Sequence, residues 1–247
     1  MSVHKSSQGP EPATAGTVVK IQLATGSPSE ITAIVDRPPD FRRGETPAFI
    51  LAPGAGSRLD HPFLAQLATA LASEMLVLRF NFPYQEAGRG SPDPQPRLEA
   101  AYRAVVAWLG AHPVLAPGPL VIGGKSMGGR IGSHLAAEGL PLAGLALLGY
   151  PLHPAGQREK RREAHLPAIR CPILFIQGTR DPLCDLTLLA SVRERLGAPH
   201  RLVVIPEGDH SFKAPKRAGR SPEEIFALIR DELRAFVGAV ARGERVA

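Results

Sequence analysis

The chain has little of what holds small secreted proteins together: only Cys171 and Cys184 stand in 247 residues, and they are not in CxxC spacing. Neither a disulfide framework nor a thiolate metal site is supported, and each cysteine reads as a free buried thiol. Long apolar runs are also missing. None approaches 18 residues without a charge, Pro or Gly, so no transmembrane helix is expected. Residues 1–16 (MSVHKSSQGPEPATAG) lack the apolar stretch of a secretory signal, and a cytoplasmic location is expected. Aromatic residues make up only 5%, and there is no excess of acid: 29 Lys and Arg oppose 23 Asp and Glu, a net charge of +6. The dense basic clusters, Arg158–Arg162 and Lys213–Arg220, carry no interleaved aromatics. They read as solvated surface rather than as a nucleic-acid face.

What is present suits a globular chain, with 44% hydrophobic and 21% charged residues and a length that fits one large domain. Residues 1–16 are polar and rich in Ser, Pro and Gly, and are expected to form a disordered tail, leaving 17–247 as a single domain. Two β-branched runs, Thr17–Leu23 and Ile31–Val35, read as an antiparallel entry hairpin. From there short apolar runs alternate with helical patterns. Strands are expected at Ala48–Ala52, Met75–Phe80, Leu120–Gly123, Leu142–Leu148, Ile173–Gln177 and Arg201–Ile205. Helices are expected at Pro62–Ser73, Arg97–Leu109, Met127–Ala137, Leu186–Leu196 and Pro222–Val240. This alternation implies an α/β fold: a doubly wound, mostly parallel sheet of about seven or eight strands flanked by helices. Reactive groups in such sheets sit just beyond the carboxyl ends of the strands.

Beyond the third of these ends lies Gly124-Lys125-Ser126-Met127-Gly128, a G-x-S-x-G string between a strand and a helix. That context forces a sharp turn with the serine hydroxyl exposed, and the glycines keep flanking side chains from colliding across it. Ser126 as a mere helix cap is the plainer alternative. A P-loop is a poor fit, because Pro119 stands where its first glycine belongs. A serine needs a base, and the base needs an acid. Asp181 follows the strand ILFIQ and His210 follows RLVVI, giving the chain order Ser…Asp…His. Asp185 is the rival acid but reads as the cap of the next helix. The developing oxyanion needs two N–H donors, expected from Met127 and from Ala55 in the loop Pro53-Gly54-Ala55-Gly56.

Together with LAPGAGSRLDHPF, RFNFPY, GGKSMGGR, GYPLHP and GTRDP, these strings resemble the α/β-hydrolase superfamily over about residues 17–240. Within it they look like a small lidless, dienelactone-hydrolase-like branch, whose animal relatives include a testis-expressed protein and a chromatin-complex subunit. The resemblance implies an α/β-hydrolase fold and a Ser126–His210–Asp181 triad, and such a triad is expected to cleave a carboxylic ester or thioester through an acyl-enzyme, without metal or cofactor. Pro53 departs from the His that many esterases carry there. The stretch where the superfamily inserts lids is only about 24 residues here, Gly149–Pro172. Gly54, Gly56, Arg58, Lys125, Tyr84 and His153 are expected to touch a small-molecule substrate. Arg58, Arg79 and the 158–162 cluster would suit one bearing a carboxylate or phosphate. No nucleic-acid or membrane partner is expected, and the oligomeric state stays open. The alternative is a catalytically silent interaction module on the same fold.

Overall fold

The computed structural model describes residues 16–246; the expected disordered tail therefore lies outside the described residues, apart from Gly16. Eight strands form one sheet: β1 (Thr17–Gln22), β2 (Glu30–Asp36), β3 (Ala48–Ala52), β4 (Leu76–Phe80), β5 (Leu120–Lys125), β6 (Gly144–Leu148), β7 (Ile173–Gly178) and β8 (His200–Ile205). Their spatial order is β1-β2-β4-β3-β5-β6-β7-β8. β1 pairs antiparallel with β2, and β2 antiparallel with β4; every later pair is parallel. This is the α/β-hydrolase arrangement the sequence led us to expect.

The helices are α1 (Pro62–Leu71), α2 (Pro83–Glu86), α3 (Gln95–Ala111), α4 (Met127–Ala137), α5 (Leu186–Arg193) and α6 (Pro222–Ala241). Only the short α2 had no counterpart in the sequence pattern, because four residues are too few to show a helical period. Side chains alternate across the central strands. Ala48, Ile50 and Ala52 of β3 join the core under α3, α4 and α5, while Phe49 and Leu51 join the core under α1 and α6. Both faces are covered, which is why these strands read as unbroken apolar runs. Local chemistry starts the later helices. The Asp185 side chain accepts from the Thr187 and Leu188 N–H groups, and Ser221 forms a capping box with Glu224.

Strand β3 has β4 on one side and β5 on the other, so the chain reverses its winding direction there. The crevice at such a reversal opens beyond the carboxyl ends of the two strands, here Ala52 and Lys125. The stretch 149–172 carries a single 3-10 turn, Leu166–Ala168, and no helical lid.

Candidate active site

Ser126 follows β5 with φ 51° and ψ −116°, a left-handed conformation that costs a side-chain-bearing residue energy. It stands at the N-cap position of α4, yet its hydroxyl makes no cap bond. Oγ lies instead 2.8 Å from His210 Nε2. The other ring nitrogen, Nδ1, lies 2.7 Å from Asp181 Oδ2. The Asp181 carboxylate is wholly buried and accepts from Gln177 Nε2 (2.6 Å) and the Leu183 N–H (2.8 Å). An imidazole held in this way can take a hydroxyl proton on one face while a carboxylate steadies the resulting charge on the other.

The glycines of the turn act differently from the sequence expectation. A Cβ at Gly124 would stand 2.3 Å from the Ala52 carbonyl oxygen; one at Gly128 would stand 2.5 Å from the same oxygen and 2.6 Å from that of Pro53. The obstacle is the end of β3, not the far side of the turn. Glycine here lets the serine turn press against the loop that follows β3. Gly178 does the same for the other pair: a Cβ there would meet the Gly208 oxygen at 2.2 Å, where the Asp181 and His210 loops touch. Asp209 Oδ1 accepts from the Ser211 and Lys213 N–H groups, and Glu207 and Phe212 both take positive φ, so the His210 loop is tightly shaped.

Ser126 and Ala55 line two cavities. One, of about 180 Å³, is bounded by Gly54, Ser57, His61, Phe63, Lys125 and His210 among others. The second, of about 380 Å³, extends along Met127, Leu98, Arg130, Pro151 and Arg162. Among the described residues, neither the Met127 nor the Ala55 N–H is given to another group. A larger space of about 750 Å³ lies between the β1–β2 turn and α3, and neither Ser126 nor Ala55 lines it.

The remaining expected residues divide. Gly54 and Lys125 line the smaller cavity. Burial lowers the Lys125 ammonium to about 8, against the pull of Asp181 and Asp209, and Nζ sits 5.1 Å from the centre of the Phe212 ring. Gly56, Arg58, Tyr84 and His153 line neither cavity. Tyr84 is buried and stands behind the loop, where its hydroxyl accepts the Gly56 N–H at 3.4 Å. Arg58 is drawn away to the Gln85 carbonyl. His153 is buried behind Asp181, and its Nε2 accepts the Asp185 N–H. Arg79 is buried in an ion pair with Asp36 and also donates to the Leu59 carbonyl, so it ties β4 to β2 rather than bordering the cleft. Sequence reasoning passed over Gln177, although a glutamine closing the apolar run ILFIQ was a visible signal. It also passed over Arg130, which nothing in the helical pattern distinguishes from a surface arginine.

A second Ser–His contact, Ser133 Oγ to His165 Nε2 at 2.8 Å, has a different character. The Ser133 proton is given to the Arg130 carbonyl at 2.6 Å, so the imidazole serves there as donor and cannot act as base. Among the described residues no group of three or more His, Cys, Asp or Glu gathers as for a metal ion, and no helix is long and apolar enough to cross a membrane.

The model of the alpha/beta hydrolase domain family matches residues 45–238, and the chain belongs to this family. Among solved structures it is similar to dienelactone hydrolase from Anabaena variabilis, with TM-score 0.70 and 19% identity over 92% of this chain and 97% of that one. It is also similar to a serine hydrolase without lid from Xanthomonas campestris, with TM-score 0.64 and 23% identity over 97% and 99% of the two chains. Est1E from Butyrivibrio proteoclasticus gives TM-score 0.71 at 14% identity, over 93% and 100%. At these identities the likeness is one of fold.

Proposed function

We propose that the protein is a serine hydrolase that cleaves a carboxylic ester or thioester of a small molecule. Ser126 attacks the carbonyl; His210 takes the hydroxyl proton and returns it to the leaving group; Asp181 steadies the imidazolium. The Met127 and Ala55 N–H groups hold the oxyanion, helped by the positive end of α4. An acyl-enzyme forms and water cleaves it. Residues 17–247 carry this chemistry as one domain, and the chain sits in the dienelactone-hydrolase-like branch of its family.

The observation that carries the reading is the unbroken contact from Ser126 Oγ through His210 to buried Asp181, at 2.8 and 2.7 Å. The strained serine supports it, since a scaffold has no use for that conformation. A fluorophosphonate probe tests it together with short- and long-chain p-nitrophenyl esters. Wild type should be labelled and active, and Ser126→Ala and His210→Ala should each abolish labelling and lower kcat/KM by roughly 10⁴-fold or more. A folded wild type that stays unlabelled and inert overturns the reading in favour of a silent interaction module.

A further inference from the structure

The larger of the two cavities beside Ser126 carries two cations that the chemistry at the serine leaves unused. Arg130 lies one turn along α4 and Arg162 on the segment after β6, and both line the cavity. Arg130 Nη1 donates to Gln95 Oε1 at 2.8 Å, and Arg162 Nη1 donates to the Pro151 carbonyl at 3.4 Å. Gln95 and Pro151 are themselves wall residues, so both guanidiniums sit at the wall. Neighbouring basic side chains have carboxylate partners: Arg158 pairs with Asp185, and Arg161 with Glu163. Among the described residues, Arg130 and Arg162 form no ion pair. Burial, with the nearby Arg162 charge adding to it, holds Arg130 below the ordinary guanidinium range. Arg130 is half-buried and Arg162 exposed, and although Glu99 offsets part of the charge on Arg130, the two guanidiniums still repel each other across the cavity. An anion bound between them relieves that repulsion.

The rest of the wall says which anion fits. Leu98, Met127 and Leu183 make it largely apolar, and about 380 Å³ admits a short carbon chain along with its charge. Asp93 stands in the same wall. Its Oδ1 is paired with Arg89 and Arg97, while its buried Oδ2 has no partner. That second oxygen repels a doubly charged group more than a singly charged one. A carboxylate is therefore favoured over a phosphate monoester, and the flat fork of arginine matches carboxylate geometry.

We propose that this cavity is a carboxylate subsite: the ester cleaved at Ser126 carries a free carboxylate on a short chain, and Arg130 and Arg162 select it. The proposal rests on the serine-hydrolase reading above.

The experiment separates the two. Fluorophosphonate labelling reads the serine alone. Three substrates then read the subsite: p-nitrophenyl butyrate (neutral), the p-nitrophenyl monoester of glutarate (acid on the acyl part) and 3-carboxyphenyl butyrate (acid on the leaving group). Wild type should favour one of the acidic esters. In Arg162→Gln the kcat/KM ratio of that ester to its methyl-blocked counterpart should fall about 10- to 100-fold, mainly through KM, as expected for one charged hydrogen bond. Arg162→Lys should recover part of it, and Arg161→Gln, on the exposed Glu163 pair, should leave the ratio unchanged. A labelled enzyme with no preference for either acidic ester, or an Arg162→Gln variant that loses blocked and free esters alike, overturns the subsite and leaves the serine reading standing. Calorimetric titration of glutarate and of inorganic phosphate into Ser126→Ala reads the subsite without catalysis. Glutarate binding that Arg162→Gln abolishes supports it even if labelling fails; no binding of glutarate, or tighter binding of phosphate, overturns it.

Discussion

Lys125 stands next to the nucleophile at the expense of stability. The half-buried Lys125 packs its ammonium against Phe212 and Gly149, and its pKa falls from 10.5 to about 8. Below pH 8 both folded and unfolded chains hold the proton, and only the folded one bears the burial penalty. Above about 10.5 both have lost it and the penalty is gone. Lys125→Met should therefore stabilise the protein at pH 7 by on the order of 1–3 kcal/mol, with the gain vanishing toward pH 10.5. Urea denaturation across that range checks it, and a loss of stability at pH 7 would sink the argument. The same cation flanks the smaller cavity while Arg130 and Arg162 flank the larger, so Ser126 sits between two positive poles.

At the scale of the element, the strand–turn–helix unit β5–α4 is shaped by contact with a neighbour rather than by its own propensities. Gly128 sits in the first turn of a helix, where alanine is intrinsically the better residue. Packing reverses that preference, because backbone oxygens of Ala52 and Pro53 occupy the space a methyl would need. Gly128→Ala should cost about 1–3 kcal/mol or more, and it should lower fluorophosphonate labelling of the folded fraction by displacing the loop that carries Ala55. Thermal unfolding and labelling measured on one preparation check both halves. A variant as stable as wild type would show that the loop gives way freely.

At the scale of the whole molecule, the stretch 149–172 is fastened across α4. His165 stacks on His134 with ring centroids 3.6 Å apart and bonds Ser133, while Tyr150 donates to the Arg162 carbonyl at 2.5 Å. Burial, with His134 and Arg130 adding to it, drives His165 down to about 3. His134 is lowered as well, chiefly by burial, although Glu99 opposes this. Above pH 6.5 both imidazoles are neutral in folded and unfolded chains alike. As pH falls from 6.5 toward 3, only the unfolded chain takes up the His165 proton, so the stability present near neutrality is progressively lost. His165→Gln should lie below wild type at pH 7, through its lost packing, yet decline less steeply between pH 6.5 and 4. Denaturation midpoints at stepped pH check this; parallel slopes would remove His165 from the account.

Sequence alone determined the alternation of elements, the antiparallel entry hairpin, the caps at Asp185 and Ser221, and the three strand ends where Ser126, Asp181 and His210 stand. Those features are local, or follow from burial on one or both faces, and burial writes a period of 2 or 3.6 into the chain. The tertiary structure decided what meets what. Ser126 and His210 are 84 residues apart, and their 2.8 Å contact depends on the order of the strands, which no local pattern records. Strand order also carried Arg79 into a buried pair with Asp36, set Tyr84 behind the loop, and turned Gly128 toward the end of β3. It left Arg130 and Arg162 facing one cavity from different elements. An arginine on a helix looks the same in sequence whether solvent or a substrate's carboxylate lies in front of it.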